Sequence, residues 1–162
     1  MNVSAATHRY IVLYDGVCRL CAGVVTFVIK RDAAARISFC AIQSSAAAPL
    51  LAAAGVCPAD ALRSFIFYDV GANRAFRRSA AALEIARHLG PPWSWLGYAV
   101  AWVPALLRDA VYDCIASRRY AWFGKSQEGE HCLAPTRRIL ARFVDADELR
   151  AALRGEGEKK DA

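Results

Sequence analysis

One segment, Tyr10 to Arg31, does most to limit the folds open to this chain. The apolar run Ile11-Val12-Leu13-Tyr14 has strand character, Asp15-Gly16 is a turn dipeptide, and Leu20, Val24, Phe27, Val28 and Ile29 recur at helical spacing. A strand that turns tightly into an amphipathic helix is the opening of a β-α-β unit, which needs a sheet with helices on its faces. At the joint stand two thiols one helical turn apart, Cys18 and Cys21. The unpaired N–H groups and positive dipole end of a helix N-terminus favour a thiolate there, and a thiol three residues on can reach back to close a disulfide. Cys18 is therefore read as the nucleophile, its sulfur exposed in the first helical turn, and Cys21 as the resolving thiol. Arg19 adds positive charge beside the pair. Asp15 reads first as a turn former, with general base for the Cys21 proton as the alternative. Gly16 reads as backbone freedom where the chain leaves the strand.

The pattern continues with a second strand at Ile37 to Ile42, then Ser44 and Ser45 as N-caps of an alanine-rich helix that runs to Ala54 and stops at Gly55. Ser64 to Tyr68 is a third strand, Gly71-Ala72-Asn73 a turn, and Arg74 to Arg78 the returning hairpin arm. Ser79 then caps a helix from Ala80 to Leu89, closed by Gly90-Pro91-Pro92. The order β-α-β-α-β-β-α predicts an α/β fold: two β-α-β units with parallel strands, one antiparallel arm, and helices on both faces of a mixed sheet. This is the order of a thioredoxin-like core. Trp93 to Phe123 reads as two or three short helices, packed on the core as a buried hairpin. Its apolar part, Trp93 to Leu107, falls short of the roughly 20 residues needed to span a bilayer, and a peripheral membrane contact is the alternative reading. The whole fits one domain at 10–150, with a helical extension at 93–124, after an N-terminal segment 1–9 and before a charged tail 151–162.

Met1 to Arg9 holds no apolar signal-like run, so the expected compartment is the cytoplasm, where the six cysteines stay reduced and a close pair is catalytic or metal-binding. The net charge of +6 comes mostly from scattered arginines. The doublets Arg77-Arg78, Arg118-Arg119 and Arg137-Arg138 read as solvated faces, and with no nucleic-acid motif beside them a nucleic-acid partner is not expected. A zinc-binding structural domain using Cys18, Cys21, His131 and Cys132 is a rival reading, weakened because His131 and Cys132 are adjacent and awkward for chelating one ion. Ala22 stands where a haem-attachment motif needs His. Cys40, Cys57 and Cys114 read as packing residues, His8 and His88 as unremarkable, and Cys132, after the polar loop Gly124 to Glu130, as a candidate third redox thiol.

Several separated motifs carry a family likeness: Asp15-Gly16-Val17-Cys18-Arg19-Leu20-Cys21, the Arg78-Ser79 helix start, Leu107-Arg108-Asp109-Ala110-Val111-Tyr112, and Arg119-Tyr120-Ala121-Trp122-Phe123-Gly124 followed by Cys132. From about Tyr10 to Val144 the chain resembles the DCC family of predicted thiol-disulfide oxidoreductases. The resemblance implies a thioredoxin-like fold, a redox role for Cys18 and Cys21, and a regular place in the domain for 93–124. The combined expectation is a thiol-disulfide oxidoreductase acting on a disulfide-containing protein or small molecule, reduced by glutathione or a thioredoxin-type donor, with no bound cofactor or metal. A non-catalytic binding module on the same fold is the other rival. Two departures stand out. Thioredoxins and glutaredoxins place a cis-proline before the strand facing the active site, where this chain has Ala61-Leu62-Arg63-Ser64, so substrate docking must differ. Family members often carry an acidic residue at the position of Ala80, and its loss weakens a helix cap or a polar contact near the site.

Overall fold

The computed structural model describes residues 8–125 and 137–150. The elements are β1 (Tyr10–Tyr14), α1 (Arg19–Arg31), β2 (Ile37–Ala41), α2 (Ala47–Ala53), α3 (Pro58–Ala61), β3 (Ile66–Asp69), β4 (Arg74–Arg77), α4 (Arg78–His88), α5 (Trp93–Ala101), α6 (Ala105–Phe123) and α7 (Arg137–Leu140). Alternation along β1 explains the layering. Val12 and Tyr14 join Val25, Val28, Ile85 and Leu89 in a core on the α1 and α4 face, whereas Ile11 and Leu13 join Leu50, Leu51 and Val56 on the α2 face.

The strands lie in the order β2-β1-β3-β4, a mixed sheet flanked by helices in the thioredoxin-like arrangement. β1 and β2 are parallel, joined by α1, as the sequence predicts. β3 is antiparallel to β1, which corrects the expected second parallel unit. The reason lies in the connection. Tyr14 pairs with Ala41 and Leu13 with Ile66, so the chain leaves β2 and enters β3 at the same end of the strands, beside the C-terminus of β1. It does so by breaking the helical stretch after α2, where Gly55 takes a left-handed φ of +65° that favours glycine. β4 closes the expected hairpin against β3.

Three expected caps are absent among the described residues. Ala46, not Ser44 or Ser45, precedes α2; the Ser44 hydroxyl donates to Ala41 O and Ser45 bonds Glu148. Ser79 lies inside α4, whose N-cap is Arg77, and its hydroxyl donates instead to Asp109 on α6. Long-range partners hold Ser45 and Ser79, while Ser44 is held by a local turn contact.

α5 and α6 pack on α4, so the helical region is attached to the core, but it is not the buried hairpin expected. Gly97 is the one buried residue of α5, where a Cβ would lie 3.1 Å from that of Ala86, and α6 has none. No described helix is long and apolar enough to cross a membrane. The segment after α7 was not anticipated as a sheet neighbour. Phe39 N–H donates to Arg142 O at 2.8 Å and Val144 N–H to Phe39 O at 2.9 Å, extending the sheet beyond β2.

Candidate active site

The turn after β1 delivers Cys18 to the N-cap of α1 in extended backbone (φ −90°, ψ 117°), its N–H donating to Asp15 O at 3.3 Å and its carbonyl accepting Ala22 N–H at 3.0 Å. An N-cap side chain normally offers an oxygen to the N–H groups of the first turn. Among the described residues no side chain caps α1 in that way, and its first turn holds no acid. A thiolate sulfur there takes the favourable position at the positive helix end.

Cys18 is nevertheless fully buried, at 0 % exposure, which corrects the expected exposed sulfur. Gly124, with φ of +77°, turns the chain off the end of α6, and Lys125 then pairs with Cys18 in an antiparallel bridge. No local pattern around Cys18 announces that cover. Cys21 is also buried and forms one helical turn further in. Burial, first, and then the bond to the Cys18 side chain push the Cys21 thiol well above its ordinary pKa, while Arg119 pulls the other way.

Asp15 sits beneath the pair, 4 % exposed. One carboxylate oxygen accepts Val17 N–H at 3.2 Å and the Gln43 amide at 2.8 Å; the other accepts Arg119 Nη2 at 3.4 Å and the Tyr120 hydroxyl. The first bond is the expected turn contact, and the rest form a long-range network beside Cys21. Burial disfavours the Arg119 charge, but its bonds to Tyr120 and Asp15 outweigh this and hold its pKa above the ordinary value. Burial, then the bond to Asp15, raises the Tyr120 phenol. Arg119 also donates to Leu62 O at 2.6 Å, tying α6 to the segment before β3.

Leu62 to Phe65 borders a cavity of about 460 Å³ between α1, α4 and α6. Cys21, Asp15 and Arg119 contribute to its wall, which is otherwise mostly apolar, with Val24, Phe27 and Ile85; Cys18 does not line it. Phe65 N–H donates to the Tyr112 hydroxyl at 2.9 Å, fixing the rim to α6. The segment that carries the cis-proline in thioredoxins thus lies beside Cys21 here without a proline.

The remaining sequence candidates divide. Arg19 is exposed at the first position of α1. Gly16 has no left-handed φ, which corrects the freedom argument; a Cβ there would lie 3.2 Å from Gln43 Oε1, the oxygen that accepts the Gly16 N–H. Cys40 is buried as expected, and burial pushes its thiol up to about 12. Cys57 and Cys114 are exposed rather than packed. His131 and Cys132, hence the second half of the zinc reading and the third redox thiol, lie outside the described residues, as does the tail 151–162. Gln43, Arg119 and Tyr120 were missed as site residues. The reading of Arg118-Arg119 as a solvated face holds for exposed Arg118 and fails for Arg119; the signal was the run Arg119 to Gly124, already part of the family likeness.

Residues 12–125 match the family model described as DCC1-like thiol-disulfide oxidoreductase. The chain is 42 % identical over 134 residues to the uncharacterized protein YuxK of Bacillus subtilis (strain 168), covering 83 % of this chain and 93 % of YuxK. It is 38 % identical over 122 residues to the chloroplastic DCC family protein At1g52590 of Arabidopsis thaliana, covering 75 % of this chain and 69 % of that protein. No solved structure is a significant match to the chain.

Proposed function

This chain belongs to the DCC1-like thiol-disulfide oxidoreductase family, and from that premise we propose that Cys18 and Cys21 cycle between dithiol and disulfide, with Cys18 as nucleophile and Cys21 as resolving thiol. The observation that carries the reading is the placement of Cys18 at the N-cap of α1 with Cys21 buried one helical turn further in, its side chain against that of Cys18. The Cys18 thiolate attacks one sulfur of a substrate disulfide, the other sulfur leaves as a thiolate and takes up a proton, and a mixed disulfide remains. Cys21 then loses its proton and attacks the Cys18 sulfur, releasing the second substrate thiol and closing the Cys18–Cys21 bond. Asp15 is the nearest buried carboxylate to take that proton, and Arg119 stabilises the thiolate it leaves. Two electrons pass to the substrate, and a dithiol donor of glutathione or thioredoxin type returns them. Such a donor implies a reducing compartment, the cytoplasm in the simplest case.

Because the Cys18 sulfur is covered, the reading requires the Cys18–Lys125 bridge to open when a substrate disulfide docks. The test is a glutathione redox titration of the purified protein, with trapped thiols located by mass spectrometry and Cys18→Ser as control. A reversible Cys18–Cys21 disulfide, absent in the control, is the expected result. Thiols that stay reduced across the titration, or oxidise only with Cys57 or Cys114, overturn it.

A further inference from the structure

The tip between α5 and α6 carries a cluster of exposed large apolar residues. Trp102 is 92 % exposed and Leu106 82 %, with Tyr98, Val103 and Leu107 exposed around them and Trp95 exposed earlier on α5. From Trp93 to Leu107 the sequence holds no charged residue at all. Large exposed apolar patches mark an interaction site, since soluble proteins rarely leave them bare. Core packing does not account for this one: Trp102 and Leu106 add almost nothing to the interior.

The charges around the tip indicate what it meets. The acids nearest in sequence are turned to partners: Asp109 accepts the Ser79 hydroxyl, Asp113 pairs with Arg78 at 3.6 Å, and Glu84 with Arg87 at 2.5 Å. Guanidinium groups sit against the aromatic flank. Arg31 lies 5.0 Å from the Trp93 ring centroid and Arg108 donates to Val103 O at 2.9 Å, while Arg87, already paired with Glu84, lies 5.2 Å from the Tyr98 ring centroid. The whole chain carries +6. A second copy would bring the same positive charge to the contact, whereas an anionic surface is attracted. Tryptophan with apolar neighbours and cations at the base is the composition that sinks into the headgroup boundary of a bilayer without crossing it.

We propose that the α5–α6 tip docks this protein peripherally on membranes containing anionic lipid, with Trp102 and Leu106 inserted and the cations at headgroup level. Docking is independent of the thiol chemistry and stands or falls separately from it. The tip lies at the start of α6, at Ala105, and the Arg119–Tyr120 site near its end, so at about 1.5 Å rise per residue the site stands off the bilayer by up to ~21 Å. A docked molecule keeps its redox site open to partners.

The experiment is flotation of the full chain with unilamellar vesicles of phosphatidylcholine alone, or with roughly 30 mol % phosphatidylglycerol. The variant is Trp102→Glu with Leu106→Glu; both residues are exposed, so circular dichroism and the glutathione titration should match the parent chain. The expected result is binding to the phosphatidylglycerol vesicles that weakens in about 0.5 M salt and falls at least ~10-fold in the variant. No flotation with either vesicle, or equal flotation of the variant, overturns the proposal. So does a parent chain that is dimeric and dissociates in the variant without binding vesicles, because the tip then serves a second copy.

Discussion

Replacing Arg119 by Met leaves an unbranched apolar stem against the cavity wall and removes only the guanidinium. The side chains of Arg119 and Asp15 are 12 % and 4 % exposed, so the variant strands a buried carboxylate without its cation. Removing one partner of a fully buried pair typically costs about 3–5 kcal/mol. Two features reduce this. Asp15 keeps the Val17 N–H, the Gln43 amide and the Tyr120 hydroxyl, and the residual exposure of Arg119 means that part of the attraction is already screened by water. Leu62 O loses its 2.6 Å donor, which adds roughly 1 kcal/mol. The expected loss is therefore about 2–3 kcal/mol in urea denaturation at neutral pH under reductant. A double-mutant cycle isolates the pair: with Asp15→Asn already present, Arg119→Met should cost at least ~1 kcal/mol less than it does alone. Because Arg119 also lowers the Cys21 pKa, the variant should slow the step that needs a Cys21 thiolate while initial attack by Cys18 changes less. A loss within about 0.5 kcal/mol of the parent, or strict additivity in the cycle, would refute the argument that this pair is a buried, coupled element of the site.

Two other outcomes follow from buried groups away from the site. Arg142 donates to Asp32 at 2.5 Å and to Ile37 O at 2.7 Å, so Arg142→Ala should destabilise by about 3 kcal/mol or more in urea; a loss below about 1 kcal/mol would show that the segment after α7 is not held there by that pair. Cys40 has a folded pKa of about 12 against an ordinary 9.0, so its stabilising contribution is complete below pH 9 and is lost as the pH rises toward 12. The slope is at most about 1.4 kcal/mol per pH unit, and Cys40→Ala should flatten stability against pH between 9 and 11; identical slopes for the two proteins would sink the assignment.

The parts legible in the sequence were those written in local pattern. The strand, turn and helix from Tyr10 to Arg31 follow from apolar spacing, and the hairpin of β3 and β4 from turn residues flanked by strand formers. The identity of the two thiols followed from their place at a helix start. Arg119, Tyr120 and Gln43 resisted reading for the opposite reason. Arg119 and Tyr120 lie on α6 and Gln43 in the turn after β2, and each reaches Asp15 only across the fold.

The sequence by itself determined the order of the main elements through α4, the placing of two thiols at a helix start and the apolar character of 93–107, because periodicity, turn chemistry and composition act over a few residues and survive without a partner. Only the tertiary structure decided the direction of β3, the burial of Cys18 beneath Gly124 and Lys125, the ion pair under Cys21 and the exposure of the α5–α6 tip. Those depend on which distant surfaces meet. Burial and low dielectric are properties of the assembled neighbourhood, and they turn an ordinary arginine into the counter-charge of a buried carboxylate and an apolar helix pair into an open face.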